Sequence, residues 1–345
     1  QDLTRVPLSV SVVGEARTQT AQRQSTIDEA LRAVPGVFAT NRHNYTVGEG
    51  VRLNIRAPLA RLGTRGFQLL QDGIPLTMAD GTTLPNNLDL GSAGRIEVIR
   101  GPSSVLYGNS AGGVISVETE LPDARPFVIH PEVQTGSDGY NRQQLKLEGT
   151  AGAFRYVLNA NRLETDGFRQ YGAAEIRRIN VVTSAFLSDR TLVRGIFNLY
   201  DMPFAENPSS LTREDALERP ETVRELAFQQ GWGKSVTQAQ GGVQAVHGLG
   251  GEHEVSVLGW GVWRDNWNPI PFEIITLDRT AAGMRSEYRG GATIGGLPIE
   301  WITGVDVSFQ RDDRKEYENE GVAVPGGRAV EGALLIDQVE DVLSV

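Results

Sequence analysis

The sequence predicts an α+β domain over residues 1–122, a linker at 123–131, and antiparallel β-barrel strands over 132–345. Three observations carry this division. Up to residue 122 the chain mixes short alternating segments, one amphipathic helix and glycine-broken turns. Pro122, Pro126 and Pro131 then interrupt it. Beyond them come repeated alternating segments of about 8 to 12 residues separated by turns, the signature of an up-and-down barrel.

In the first unit, Pro7–Val13 alternates as an edge strand and Gly14 stops it. Ser25 is the expected N-cap of a helix over Thr26–Ala33, with acidic Asp28 and Glu29 in its first turn and a buried stripe of Ile27, Ala30, Leu31 and Val34. Pro35-Gly36 ends it. Asn41 to Tyr45 is a polar loop, and Val51–Arg56 is a strand. Phe67–Gln71 runs into Asp72-Gly73, a strong hairpin-turn dipeptide. After the polar loop Met78–Asn87 comes the most distinctive stretch, Arg95–Thr119: strand, glycine-broken turn, small residues, a second glycine break, strand. Its charges Arg95, Glu97 and Arg100 sit inside a strand-like pattern, as paired charges do. Neither phosphate-binding glycine motif, G-x-x-x-x-G-K-[ST] or G-x-G-x-x-G, is present there.

In the second unit, Gln144–Gly149, Phe154–Asn161, Arg178–Leu187, Val193–Leu199 and Glu300–Gln310 all alternate apolar with polar residues. Short turns at Ala151-Gly152 and Ser188-Asp189 contrast with long polar loops expected near 201–223, 264–286 and 311–332. Periodicity alone does not say which face of such a barrel is wet. Aromatic residues near strand ends (Tyr156, Tyr200, Trp232, Trp260, Trp263, Trp301) and unequal connections on the two rims favour a membrane barrel.

Composition sets further bounds. With no cysteine there is no disulfide framework, thiol nucleophile or cysteine-based zinc site. A net charge of −10 argues against a nucleic-acid partner. No stretch approaches the roughly 20 continuous apolar residues of a membrane-spanning helix, which leaves a membrane β-barrel open. The absence of an initiator Met and leader fits an export signal removed or never included. The four histidines follow no metal-ligand spacing, and the charged run Arg311–Glu316 reads as a solvated loop. Ser103-Ser104 lacks the nucleophile elbow, and no triad or paired-carboxylate site assembles. The chain does not read as an enzyme, and no cofactor is implied.

Four segments in the first unit, Val6–Val13, Leu31–Val37, Leu70–Leu76 and Arg95–Thr119, closely resemble the plug of TonB-dependent outer-membrane receptors. The last is the most specific: I-E-V-I-R-G-P, then L-Y-G, then G-G-V-I. The resemblance implies a plug inside a 22-stranded barrel, of which residues 127–345 supply about ten strands. That implies a fragment with the TonB box upstream. It also implies a bacterial outer-membrane location in contact with lipid, a monomeric receptor, and energised uptake of a ferric siderophore or similar iron complex with the TonB–ExbB–ExbD complex as partner. Cobalamin, another metal complex, a saccharide, or a purely binding or signalling role are the alternatives. Plug–barrel gating falls on Arg56 and Arg100, with Glu97 beside them, although Ala57 replaces the usual glycine after Arg56. Ligand contacts fall on the apical plug loops: Arg42, His43, Asn44 and Tyr45, Arg61 and Arg65, and the Met78–Thr83 loop with Asp80. Clustered arginines beside an aromatic suit an anionic iron complex, because guanidinium pairs bidentately with oxygen donors.

Overall fold

The structure is a computed structural model that describes residues 9–20, 22–41, 45, 51–56, 66–101, 107 and 110–345. In the first unit, β1 (Ser9–Gly14), β4 (Gln68–Gln71), β5 (Ile74–Pro75), β6 (Ala93–Arg100) and β7 (Gly113–Thr119) form one sheet, in the order β1-β6-β7-β4-β5. β4 and β7 run parallel and the other neighbours antiparallel. β2 (Val37–Asn41) and β3 (Val51–Ile55) make a separate pair. The Asp72-Gly73 turn has φ of 50° and 87°, the left-handed pair that a tight hairpin of this type needs. Ile27, Leu31, Leu53, Phe67, Ile96 and Ile115 anchor the core between the sheet and the helices.

Two local expectations are corrected. The helix expected over Thr26–Ala33 is a single turn, α2 (Asp28–Leu31), whose N-cap Ile27 has no capping side chain. Ser25 instead donates to the Glu29 carboxylate, whose other oxygen accepts from the Gln24 N–H at 3.0 Å. Pro35 disfavours helical conformation at Val34, so the turn tightens after Leu31; the Val34 N–H reaches back to the Leu31 carbonyl at 2.9 Å. The four hydrophobic residues of the expected stripe are nevertheless all buried. A second short helix, α1 (Glu15–Thr18), follows β1 and was not expected.

The second unit is a ten-stranded antiparallel sheet in sequential order: β8 (Val128–Thr135), β9 (Asn141–Ala151), β10 (Phe154–Thr165), β11 (Ala174–Ser188), β12 (Thr191–Glu206), β13 (Gly233–Gly250), β14 (His253–Ile270), β15 (Glu273–Ile294), β16 (Leu297–Val322) and β17 (Ala329–Ser344). β8 begins inside the expected linker and carries Pro131. An edge strand tolerates a residue that cannot donate to the ladder. Most of the polar stretches expected as loops at 264–286 and 311–332 are strand. Only the 207–232 connection is long, and it holds the short helices Arg213–Glu218 and Glu225–Gln229. Polar residues continue these strands because their ends pass beyond the apolar band, where alternation no longer marks a buried face. The rims are unequal all the same: the β9–β10, β11–β12, β13–β14 and β15–β16 turns are two residues each.

Burial shows which face is wet. Along β9, Arg142, Gln144, Lys146 and Glu148 are buried, whereas Leu145 is 41% exposed. Phe197, Val243 and Phe309 likewise point out while Asn198, Gln240 and Gln310 point in against the first unit. A soluble barrel would show the reverse. An apolar exterior around a polar interior is the arrangement of a membrane barrel. Its apolar band ends at a lateral row of outward charges, Arg162, Arg177, Asp201, Asp265, Asp278 and Asp313, joined through Thr237 by strand register. No helix among the described residues is long and apolar enough to cross a membrane.

Candidate ligand site and plug–wall interface

Strand register assembles on the inner wall what the linear sequence scatters. Glu132, Gln144, Asn161, Arg178, Tyr200, Gln238, Arg264, Arg279 and Asp312 are successive cross-strand partners, one per strand from β8 to β16. All but Glu132 are buried. Sequence reading missed this belt, and its only signal was the polar half of each alternating strand. A row of amides, Asn159, Asn180, Asn198 and Gln240, runs beside it, with the Gln240 amide donating to Asn198 at 2.8 Å.

The first unit is bonded to this wall. Arg178 donates to the carbonyls of Ser25 (3.1 Å) and Asn86 (3.0 Å), and Arg142 to the Gln24 side chain at 2.9 Å. Asp89 accepts from Asn159 at 2.7 Å and from Asn161 at 2.8 Å. Arg279 spans Asp312 (2.6 Å) and Asp80 (2.9 Å). Burial works to raise the Asp80 pKa, but the Arg279 charge and the Thr82 N–H and hydroxyl outweigh it, so the carboxyl lies below its ordinary value and stays ionised.

Of the expected ligand residues, Arg42, His43, Asn44, Arg61 and Arg65 lie outside the described residues. Tyr45 packs with Leu84 and Tyr140 against Leu163, Tyr200 and Met202 of the wall. Burial raises the pKa of Tyr45 and pushes that of Tyr140 up to about 12, so both remain protonated phenols at neutral pH. Asp80 faces the opposite stretch of wall, and Met78 is buried at 5% exposure, a packing residue rather than an open contact. Tyr45 and Asp80 are therefore linked by the arginine-rich belt between them. No group of three or more His, Cys, Asp or Glu among the described residues could hold a metal ion.

The expected gating residues separate. Arg56 and Arg100 flank Gly36: a Cβ there would lie 3.6 Å from Arg100 Cδ and 3.8 Å from Arg56 Cγ. Arg100 donates to the Pro35 carbonyl at 2.7 Å and to Ser11 Oγ at 2.9 Å. Arg56 has φ of 54° and donates its N–H to the Gly36 carbonyl at 2.9 Å. Glu97 pairs with Arg95, and strand alternation puts it on the other face of β6 from Arg100.

Residues 2–114 match the TonB-dependent Receptor Plug Domain family. The first unit is a TonB-dependent receptor plug. It is 37% identical over 178 residues to the hemin receptor of Yersinia enterocolitica, covering 50% of this chain and 23% of that protein. It is 27% identical over 185 residues to the ferric enterobactin receptor of Pseudomonas aeruginosa, covering 50% and 24%. The chain thus spans about a quarter of these curated relatives' length. The unliganded ferric citrate transporter FecA superposes with a TM-score of 0.75 at 20% identity, over 96% of this chain and 51% of that one. The ferric yersiniabactin uptake receptor FyuA of Yersinia pestis gives 0.72 at 16% identity, over 92% and 50%. These likenesses place the first unit as the plug and the ten strands as barrel wall. The family consists of receptors and transporters, not enzymes.

Proposed function

We propose that the receptor containing this chain sits in the bacterial outer membrane and imports an anionic iron complex, a ferric siderophore or hemin, in a step energised by TonB–ExbB–ExbD. The observation that carries this reading is the buried arginine belt facing the plug, which offers cationic donors for a ligand rich in carboxylate or similar oxygens. Tyr45 and Asp80 of the plug, together with Arg42, His43, Asn44, Arg61 and Arg65, supply the contacts. Arg56 and Arg100, with Glu97, belong to the moving side of the plug. Residues 1–122 act as the plug and the strands after the linker as the wall.

Relatives named for hemin and ferric enterobactin support an iron complex. A match to the vitamin B12 transporter BtuB of Vibrio vulnificus, 31% identical over 125 residues, keeps cobalamin as the second reading. Equilibrium binding and uptake of hemin, a panel of ferric siderophores and cobalamin, in cells lacking their own receptors, tests it. Uptake of an iron complex is the expected result, and uptake of cobalamin alone would reverse the order of the two readings.

A further inference from the structure

We infer that the plug parts from the wall along β9–β11, pivoting on an apolar anchor at Ile74, and that the anionic ligand leaves through a cavity lined by Arg95, Arg155 and Arg194. This rests on the uptake reading above and adds where the passage opens.

The plug meets the wall in two chemically different ways. At the tip of its β4–β5 hairpin, fully buried Ile74 packs among Ile196, Leu258, Trp260 and Val262. The tip fits tightly, since a Cβ on Gly73 would come within 3.2 Å of Leu258 Cδ2. Pulling Ile74 away would expose apolar surface on both sides, with nothing gained from water. Across β9–β11 the described contacts include one apolar patch, where Tyr45 and Leu84 pack on the cluster of Leu163, Ala174 and Ile176, and are otherwise hydrogen bonds and ion pairs. Asn180 donates to Ser92 Oγ at 2.7 Å and to Thr119 Oγ1 at 2.9 Å, Asp89 holds Asn159 and Asn161, and Lys146 pairs with Glu120.

Several atoms on this seam are buried without a protein partner: Asn159 Oδ1, Asn161 Oδ1, both side-chain polar atoms of Asn87, and Nε of Arg142 and Arg178. Water entering such a seam replaces each hydrogen bond that breaks and satisfies groups that had none, so opening costs little. The seam therefore parts before the anchor does.

Below it lies a cavity of about 520 Å³ between the plug's exit strand and the wall, bordered by Arg95, Glu118 and Glu120 on the plug and by Arg155, Phe186 and Arg194 on the wall. It adjoins the rim of two-residue turns, where the chain passes from plug to barrel. Arg155 lies over the Phe186 ring at 4.8 Å, and Arg194 reaches Asp72 at 3.3 Å. An anion released from the belt meets three guanidiniums here, set among the carboxylates of Glu15, Glu118 and Glu120, so the lining can pass the ligand on without holding it.

These 345 residues have no cysteine, so with any cysteine elsewhere in the receptor replaced by serine, engineered pairs can be linked without background. A reducible bifunctional thiol reagent would join Ser92→Cys to Asn180→Cys across the seam, or Ile74→Cys to Leu258→Cys at the anchor, in the receptor produced in cells. The seam link should abolish uptake, leave binding intact and be reversed by reductant, whereas the anchor link should leave uptake in place. As a second readout, thiol labelling of Ser92→Cys alone should rise in energised cells with ligand while Ile74→Cys stays protected. Uptake that survives the seam link, stops with the anchor link, or is accompanied by labelling of Ile74→Cys overturns the route alone. No uptake by the cysteine-free parent removes the uptake reading and the route with it.

Discussion

Asp80 of the plug and Arg279 of the wall, 199 residues apart in sequence, meet at 2.9 Å, with Asp312 on the same guanidinium. Arg279 and Asp312 are both buried. Removing Arg279 strands Asp312 in a site that water reaches poorly, whereas removing both partners does not. Arg279→Ala should cost about 3–5 kcal/mol, and the double variant Arg279→Ala/Asp312→Ala clearly less. Denaturant unfolding of the reconstituted protein measures both. Hydrogen exchange should quicken at residues 78–83 in the single variant.

Asp72 gives a pH signature. Its burial raises the carboxyl pKa above the usual 3.8, against the lowering effects of Arg194 and of the Thr119 N–H and hydroxyl. Between 3.8 and the raised value the folded state holds a proton that the unfolded state has released. Stability contributed by this group therefore falls as pH rises through that window. Asp72→Asn removes the titration. The stability of wild type minus that of the variant should decline as pH rises from 3.8; a flat or rising difference would contradict the assignment.

The inside-out wall predicts opposite tolerances at adjacent residues. Leu158 faces out in the apolar band, while Asn159 faces in and bonds Asp89 at 2.7 Å. Leu158→Arg should lower stability in a bilayer by about 2–4 kcal/mol. Arg at position 162, one row beyond the band, is already native. Asn159→Leu should leave insertion unchanged and instead loosen the plug, read as faster exchange around Asp89. Folding titrations into vesicles separate the two.

Arg100 ties β1 and β6 to the Pro35-Gly36 turn through bonds to Pro35 and Ser11. Arg100→Ala should cost about 1 kcal/mol, because its contacts are few and partly solvated. Ligand affinity should stay close to wild type while uptake changes. A large loss of affinity with normal uptake would place Arg100 in ligand recognition instead.

Much of this was legible in the sequence, for physical reasons. Alternation with period two announced the barrel strands, and Asp72-Gly73 announced its turn, because each depends on neighbours in the chain. The single-turn helix α2 was overestimated because Pro35 and the Gln24–Glu29 contacts decide its length. The runs at 264–286 and 311–332 read as loops from their polarity alone, whereas strands that leave the apolar band stay paired through the backbone. The belt of Arg178, Arg264, Arg279 and Asp312 was invisible because only hairpin register brings those residues level. Which face was wet also needed the structure, since alternation is the same either way.

The most direct test of the account is accumulation of a radiolabelled iron complex by cells producing the receptor, with and without a functional TonB. Equal surface binding in both strains, with accumulation only where TonB works, is the expected result. Accumulation that persists without TonB, or binding with no accumulation in either strain, would contradict it.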